Sequence, residues 1–307
     1  MTPRIKSAHT VGVTDLRDHT AATLSTADAA VAAADAAARA AAVEVRELTA
    51  QRELDDVYRM YNEIWRPDPT NPPVTSELLR ALSKAGNYVS GAFDAGTLVG
   101  ACVGFFGAPV DGALHSHIAG VSTAAQGRSV GFALKLHQRA WSLLRGVSVV
   151  AWTFDPLVRR NAYFNIVKLA ASPAEYLPNF YGGMHDAING DDDSDRLLVR
   201  WQLESAAVIA ACSGSTRAAD AQRERDNGAA VALGVGADGK PEPGTADAET
   251  LLVAVPADIE ALRRRDPDAA KQWRVAVRES LSALLNDGAR VTGFDRAGWY
   301  VLRRGPR

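Results

Sequence analysis

Two histidines stand two residues apart in a stretch whose pattern predicts a β-strand. His115 and His117 would face the same side of a sheet, because successive side chains of a strand alternate between its two faces. Imidazole titrates near neutral pH, so either residue could deprotonate an incoming ammonium group, directly or through a water molecule. Two other interpretations stay open: a hydrogen-bonded core histidine, or a pair of metal ligands completed by His137 or His185.

Carboxylates near the predicted strand ends are alternatives for the same proton transfer. Asp155 ends a predicted strand, and Glu175 lies just past the next predicted helix. Pro156 favours a turn, which would direct the Asp155 carboxylate into an opening at the strand end. The acidic run 191–195 lacks the glycine and the distal glutamate of a calcium loop, so it predicts a solvated turn. The arginine runs 159–160 and 263–265 predict solvated faces, either of which could receive an anionic group.

A small-residue loop, Gln-Gly-Arg-Ser-Val-Gly-Phe-Ala-Leu at 126–134, follows a predicted strand and opens a predicted helix. Such a loop turns several backbone N–H groups outward, and the helix dipole adds about half a positive charge there. A pyrophosphate suits this arrangement, since glycines let a ligand approach the main chain. The segment lacks the Gly-Lys-Ser/Thr ending of a nucleoside-triphosphate loop and the three glycines of a dinucleotide fingerprint. Taken alone, it is also typical of an ordinary turn before a helix.

The elements around this loop predict a mixed α/β sheet. Hydrophobic periodicity indicates, in order, a strand, two helices, three strands, a helix, a strand, a helix and a strand. Their predicted bounds are 43–48, 54–65, 76–84, 88–93, 98–106, 113–122, 132–144, 147–154, 159–169 and 195–203. This order places the glycine loop at a strand-to-helix junction.

Within that order, the loop resembles motif A of the Gcn5-related N-acetyltransferase superfamily. The motif is Gln/Arg-x-x-Gly-x-Gly/Ala, with a valine five residues before it on the preceding strand. Val121 and Gln126 keep this spacing, Gly131 takes the final glycine position, and Ser129 replaces the middle glycine. The strand 147–154 and the residues Asn161-Ala162 and Lys168-Leu169-Ala170 that follow are similar to motif B, which usually ends in Lys-Leu-Gly-Phe.

Longer runs look like a subgroup of predicted acetyltransferases within that superfamily. They cover residues 115–121, 132–141, 152–156, 161–165 and 175–182. The resemblance extends over about 43–203, and in that subgroup over the tail after Thr250. It implies a mixed, mostly antiparallel central sheet flanked by helices, an α/β (α+β) fold with a C-terminal α/β extension packed on it.

The resemblance also implies acetyl-CoA, or another acyl-CoA, as co-substrate, held in a V-shaped opening between the strands that end near Val121 and Phe154. Backbone groups of Ala119 and Val121 would pair with the pantetheine amide, and Asn161 would contact the pantetheine arm. The loop amides would hold the pyrophosphate, with Arg128 free to reach the ribose phosphate. The residues implied for this loop are Gln126, Gly127, Arg128, Ser129, Val130, Gly131 and Phe132.

The reaction that the resemblance implies is direct attack of a neutral amine on the thioester, with no enzyme nucleophile and with a main-chain N–H stabilising the oxyanion. The position of the usual general-acid tyrosine falls at Ile166, and Tyr163, about one helical turn earlier, could replace it. A left-handed backbone at Ser129 would cost roughly 1–2 kcal/mol. We expect that cost to weaken CoA binding about tenfold.

Composition and resemblance together divide the chain into four parts. Residues 1–42 contain an alanine-rich segment, with 14 alanines in the 22 residues 21–42, which predicts a helix that covers a neighbouring core. Residues 43–204 form the N-acyltransferase-like domain. Residues 205–248 hold few large apolar side chains and predict a linker or a surface excursion. Residues 249–307 predict a small α/β extension that packs against the main sheet, because its core is marginal alone.

Charge and composition argue against several classes of function. The 34 basic and 36 acidic residues leave a net charge of −2, which argues against wholesale electrostatic binding to nucleic acid. Cys102 and Cys212 cannot form a disulfide framework, and no apolar run approaches the roughly 20 residues of a membrane helix. We therefore expect a cytoplasmic N-acetyltransferase for a small-molecule amine, with no metal, no nucleic acid or membrane partner, and a homodimer as an open possibility. The alternatives are a non-catalytic, degenerate fold of this superfamily that binds CoA or a protein partner, and a structural subunit.

Overall fold

The computed structural model of the chain describes residues 15–67, 72–182 and 192–305. The alanine-rich segment forms helix α1 (Asp15–Ala40), and its buried side chains include Ala27, Ala30 and Ala34. These residues recur every three to four positions, so they form one face of the helix. That face packs on helix α4 (Val130–Leu143), as the alanine pattern predicts. No helix among the described residues is long and apolar enough to cross a membrane.

Seven strands form the first sheet, in the order β1-β2-β3-β4-β5-β7-β6. Every neighbouring pair is antiparallel except β4 and β5, which are parallel. This arrangement confirms the predicted fold class. The strands are β1 (Glu44–Glu47), β2 (Tyr88–Asp94), β3 (Thr97–Phe106), β4 (Ala113–Val121), β5 (Val149–Phe154), β6 (Ser172–Leu177) and β7 (Arg196–Gln202).

Helices cover both faces of this sheet. Helices α2 (Gln51–Trp65) and α3 (Ser76–Lys84) pack on one face, where buried Leu54, Val57 and Tyr61 follow helical spacing. Helix α4 packs on the other face and is buried nearly all round, because α1 covers its outer side. A short helix α5 (Arg159–Ala162) follows β5 and continues as a π-helical segment, Tyr163–Lys168.

The second sheet contains five strands in the order β11-β12-β10-β8-β9. Its elements are α6 (Ala206–Cys212), α7 (Ala221–Asp226), β8 (Ala230–Val235), β9 (Pro241–Pro243), β10 (Thr250–Ala254), α8 (Ile259–Arg265), α9 (Pro267–Asn286), β11 (Arg290–Asp295) and β12 (Trp299–Arg303). Segment 205–248 therefore differs from the linker or surface excursion that its composition predicts. Strand β8 is built mainly from small apolar residues and is stabilised by pairing in parallel with the more apolar β10.

Buried ion pairs join the second sheet's helices to the first sheet. Arg274 on α9 donates to both Asp155 carboxylate oxygens at 2.9 Å and to Asp192 at 2.9 Å, and Arg263 on α8 donates to Asp155 at 2.7 Å. Arg278 on the same helix pairs with the buried Asp195 and with the half-exposed Asp193.

Three predictions are corrected by these contacts. Asp155 is not directed into an opening, since its carboxylate is occupied by guanidinium groups. Asp192 and Asp195 are not in a solvated turn, and Arg263 is not on a solvated face, because their charges are paired in the interior; Asp193 between them is exposed. Asp191 lies outside the described residues.

Candidate functional site

Strands β4 and β5 separate after a short paired stretch. Their register contains three pairs, Ala113 with Val149, Leu114 with Val150, and His115 with Ala151. Beyond this point β4 continues to Val121 beside β3, and β5 continues to Phe154 beside β7. The two strands therefore diverge in the middle of the sheet, and their facing edges form the two sides of a V-shaped fork.

The β4 side of the fork presents unpaired backbone groups. The N–H of Ser122 donates to the carbonyl of Val99 at 2.9 Å, so Ser122, Gly120 and Ile118 bond toward β3, up to the bulge at Val103. The backbone N–H and C=O groups of Ala119 and Val121 must then point toward the fork, where no strand pairs with them. Ala119 is exposed, in keeping with an open edge.

The loop between β4 and α4 gathers further N–H groups. Gly127 and Ser129 both have left-handed backbone conformations, with φ of 79° and 64°. Ser129 accepts from the N–H of Phe132 at 3.0 Å, but no acceptor in the described chain takes the N–H groups of Val130 and Gly131. These groups lie at the positive end of the α4 dipole. The loop can therefore bind an anion through its main chain, as its sequence predicts.

A pocket of about 520 Å³ lies against this loop. Most of the residues implied for the cofactor line it, while Ala119 and Arg128 do not. The lining residues that were expected are Val121, Gln126, Gly127, Ser129, Val130, Gly131, Phe132 and Asn161. The others are Ala125, Arg160, Phe164, Lys168, Ala211, Gly214 and Thr216. The last three follow β7, and their small, polar sequence carries no signal for such a role.

Arg128 has a different role from the predicted one. Its guanidinium pairs with Asp94 at 2.6 Å and donates to the carbonyls of Ala41 and Ala42 at 3.2 Å. Those carbonyls come just after the end of α1, where helices leave acceptors unsatisfied. Arg128 is therefore not free to reach a phosphate; it ties α1 to the glycine loop.

Two other cations line the pocket. Arg160 pairs with Glu260 of α8 through two hydrogen bonds, one of them 2.9 Å long. Lys168 is exposed and has no carboxylate partner in the described parts of the chain. A flexible ammonium group beside a cluster of main-chain N–H groups suits a phosphate.

His115 and His117 lie on the face of the sheet opposite to α4. Their ring centroids are 6.2 Å apart, and both rings contact Phe105, at 5.0 and 5.7 Å. Burial lowers the pKa of both imidazoles below the usual 6.5, and the mutual repulsion with His117 lowers that of His115 further. Both rings are therefore mainly neutral at pH 7, which is the state that accepts a proton.

No group of metal-binding side chains forms among the described residues. His137 contacts Tyr88, whose hydroxyl lies 2.9 Å from its Nδ1, on the α4 side of the sheet. That placement separates it from His115 and His117. His185 lies outside the described residues.

The structure does not bring Tyr163 into the pocket. Its ring lies under the guanidinium of Arg296 at 4.7 Å, and the next residue, Phe164, lines the pocket instead. The expectation from α-helical spacing fails because residues 163–168 are π-helical, which changes the position of each side chain around the axis. Ile166, at the usual tyrosine position, is buried.

A different tyrosine lies beside the fork. The hydroxyl of Tyr181 is 3.2 Å from Oγ1 of Thr153, which is on the diverging part of β5. Its ring also contacts the guanidinium of Arg196 at 5.2 Å. The sequence resemblance includes Tyr181 only within the run 175–182, and nothing in its spacing indicates that it meets the fork.

The left-handed conformation of Ser129 leads to a stability prediction. We expect Ser129→Gly to raise the free energy of unfolding by about 1 kcal/mol, because glycine adopts this backbone without steric cost. CoA affinity should stay within about twofold, since the loop already has this conformation and its cost is borne on folding rather than on binding. This replaces the tenfold weakening expected from sequence.

Urea unfolding and calorimetric titration check the two parts of this prediction. Gly127→Ala is the matched control, since it introduces a side chain at φ 79° and should lower stability by about the same amount. A Ser129→Gly variant that is less stable than the wild type would contradict the assignment of backbone strain to this residue.

Comparison with known proteins yields similar solved structures only. No protein-family model and no curated protein matches the chain. It is similar to an N-acetyltransferase from Staphylococcus aureus, with 13% identity over 53% of this chain and 99% of that chain and a TM-score of 0.43. It is also similar to YncA of Salmonella typhimurium, solved with its cofactor acetyl-CoA, with 16% identity over 54% of this chain and 98% of that chain and a TM-score of 0.43. A third is the ribosomal-protein-S18-alanine N-acetyltransferase of Escherichia coli, with 13% identity over 53% and 96% and a TM-score of 0.41.

Proposed function

We propose that this chain is an acyl-CoA-dependent N-acyltransferase of the Gcn5-related superfamily, with acetyl-CoA as its co-substrate. The observation that carries the proposal is the meeting of the fork and the glycine loop. An unpaired strand edge, ending at Val121, runs directly into a loop whose N–H groups at Val130 and Gly131 lack acceptors. An extended amide-containing arm that ends in a pyrophosphate fits both features at once.

The residues of the pocket fit such a ligand. The N–H and C=O groups of Ala119 and Val121 would bond the pantetheine amides as a strand would. The loop from Gly127 to Phe132 would hold the pyrophosphate, and Lys168 would neutralise part of its charge. Asn161 lines the same pocket and would contact the arm. Bound there, acetyl-CoA would supply a thioester whose carbonyl carbon an amine can attack.

The chain's own residues would then accept and donate the protons of the reaction. Neutral His115 or His117 would take the proton of the incoming amine, because both rings lie on the face opposite to α4, beside the fork. A main-chain N–H at the fork would stabilise the oxyanion. We propose Tyr181, rather than Tyr163, as the group that returns a proton to the departing thiolate, since its hydroxyl is held at Thr153.

A calorimetric titration with acetyl-CoA and with CoA tests the cofactor part. We expect micromolar binding to the wild type and a loss of at least about 100-fold in Gly131→Phe, which corresponds to roughly 2.7 kcal/mol. A Cβ at Gly131 would lie 3.8 Å from Val121, an ordinary contact, so a larger side chain would extend into the pocket without a backbone clash.

Gly305→Phe is the matched control, because a Cβ there meets nothing within 4 Å and the residue is remote in sequence from the loop. Thermal unfolding of both variants shows whether the fold is retained. Equal affinity of Gly131→Phe and the wild type would remove the glycine loop from the cofactor site. No binding at millimolar concentration of either ligand would overturn the proposed function.

A further inference from the structure

One row of residues crosses the sheet beside the fork. His115 pairs with Ala151, Ala151 pairs with Arg200, and Arg200 pairs with Ser172. Directly paired residues share a face of the sheet. The buried neighbours in sequence, such as Leu114 and Trp201, point to the opposite face.

Arg200 is a cation without a partner in this row. It is exposed, and no carboxylate in the described chain lies within ion-pair distance of it. Glu175 pairs with Leu198 and is the nearest carboxylate in register, but it forms no ion pair with Arg200. The guanidinium of Arg200 can therefore bind an anionic group of a ligand at this face.

The space between Arg200 and His115 is bounded by small and aromatic side chains. Adjacent strands are about 4.8 Å apart, so the backbones of these two residues are about 10 Å apart across Ala151. Ala151 contributes only a methyl group to this face, and Phe105 flanks the histidine side. The fork begins immediately after this row, toward His117.

We propose that the acceptor is an amine that also carries a carboxylate, with its carboxylate bound by Arg200 and its amine directed past His115 and His117 to the fork. The proposal rests on the proposed acyltransferase function and adds the substrate class. Guanidinium binds a carboxylate through two parallel hydrogen bonds, which fixes orientation as well as charge. The neutral imidazoles can accept a proton from the amine, and the aromatic ring of Phe105 favours an apolar or aromatic group between the two ends.

In the reaction, the amine nitrogen forms a bond to the acyl carbon and the bond from that carbon to sulfur breaks. The proton lost by the nitrogen passes to an imidazole, and the thiolate is protonated to give CoA. The carboxylate takes no part in bond making. Arg200 is therefore a specificity-determining residue for the acceptor.

The test is a thiol-release assay with acetyl-CoA and a panel of primary amines in matched pairs. Each pair contains an amino acid whose amine and carboxylate are separated by a spacer and the matching carboxamide, for example β-alanine with β-alaninamide and para-(aminomethyl)benzoic acid with its amide. For the best pair we expect the wild type to favour the carboxylate in kcat/KM by about tenfold to 100-fold, the range of a hydrogen bond to a charged group. Arg200→Gln should lose that preference through a higher KM for the carboxylate, while kcat/KM for the amide stays unchanged.

Arg52→Gln is the matched control. Arg52 is also exposed, and it lies at the opposite end of α2 from Trp65, which packs against β4. Arg200→Lys should keep part of the preference, since it keeps the charge and loses the paired hydrogen bonds.

Each outcome decides the inference. Equal use of carboxylate and amide by the wild type, or an undiminished preference in Arg200→Gln, would overturn it and leave the acyltransferase proposal standing. A protein that binds acetyl-CoA in the titration but acetylates neither member of any pair would also overturn it. Absence of acetyl-CoA binding would instead be a failure of the proposed function.

Discussion

We expect the Arg274→Met variant to lose about 3–5 kcal/mol of its free energy of unfolding. Arg274 is 1% exposed and bonds the carboxylates of Asp155 and Asp192, which are themselves buried. Methionine fills a similar volume but leaves the two interior carboxylates with less positive charge beside them, from Arg263 and the more distant Arg196. The loss therefore comes mainly from uncompensated buried charge rather than from a cavity.

Urea unfolding measures this change, and Arg303→Met is the control. Arg303 forms an ion pair with Glu224 in which its side chain is 51% exposed, so its removal should cost less than about 1 kcal/mol. Comparable losses in the two variants would show that the buried cluster contributes no more than a surface pair.

We expect the stability difference between the wild type and Arg274→Met to depend on pH. The guanidinium groups of Arg274 and Arg263 outweigh the effect of burial and hold the pKa of Asp155 well below its usual range. A depressed carboxyl pKa contributes stability above the unfolded value, near 3.8, and this stability is lost as the pH falls toward the folded value. The difference between wild type and Arg274→Met should therefore be largest near neutral pH and shrink below about pH 4.

The ion pairs of this cluster could not be predicted from local sequence. Asp155 and Arg274 are 119 residues apart, and nothing local indicates that they meet. The turn at Pro156 was predicted from local backbone preference, but the direction of the carboxylate depends on α9, which packs from the second sheet. Long-range charge pairing of this kind needs the tertiary structure.

Local sequence patterns, by contrast, predict most of the strands and helices of the first sheet. Helix 76–84 has its predicted bounds, and the structure shows that they are set locally: Thr75 caps the first turn and Gly86 follows the end. The loop 126–134 was also recognised, since glycine spacing and a following helix are local properties. Strand β6 was not predicted, because Pro173 and a bulge interrupt its alternation.

For segment 205–248, composition predicts less regular structure than the segment contains. Its small residues predict a linker, yet β8 pairs with β10, and Ala211 and Thr216 line the proposed cofactor pocket. A count of large apolar side chains underestimates how much regular structure such a segment forms, because that structure is stabilised by contacts with neighbouring elements.

The largest effect on catalysis is expected from the two histidines. One of the two variants, His115→Ala or His117→Ala, removes the base. We expect that variant to lower kcat by about 10²- to 10⁴-fold with little change in the KM for acetyl-CoA. Neither ring lines the pocket of the glycine loop, so their loss should leave cofactor binding intact. The variant with the larger loss identifies the base, and the other then acts on its position or pKa.

The pH profile distinguishes a base from a packing residue. Burial lowers the pKa of both rings below 6.5, and a hydrogen bond with the backbone of Pro73 partly opposes this at His117. The neutral form is the base, so wild-type kcat should be constant near pH 7 and fall as the pH drops through that lowered pKa. The variant that lacks the base should show a residual kcat without this decrease at acidic pH. His137→Gln is the control, because His137 lies on the α4 side with Tyr88 and should keep the wild-type profile. Wild-type rates and profiles in both alanine variants would show that neither histidine transfers the proton.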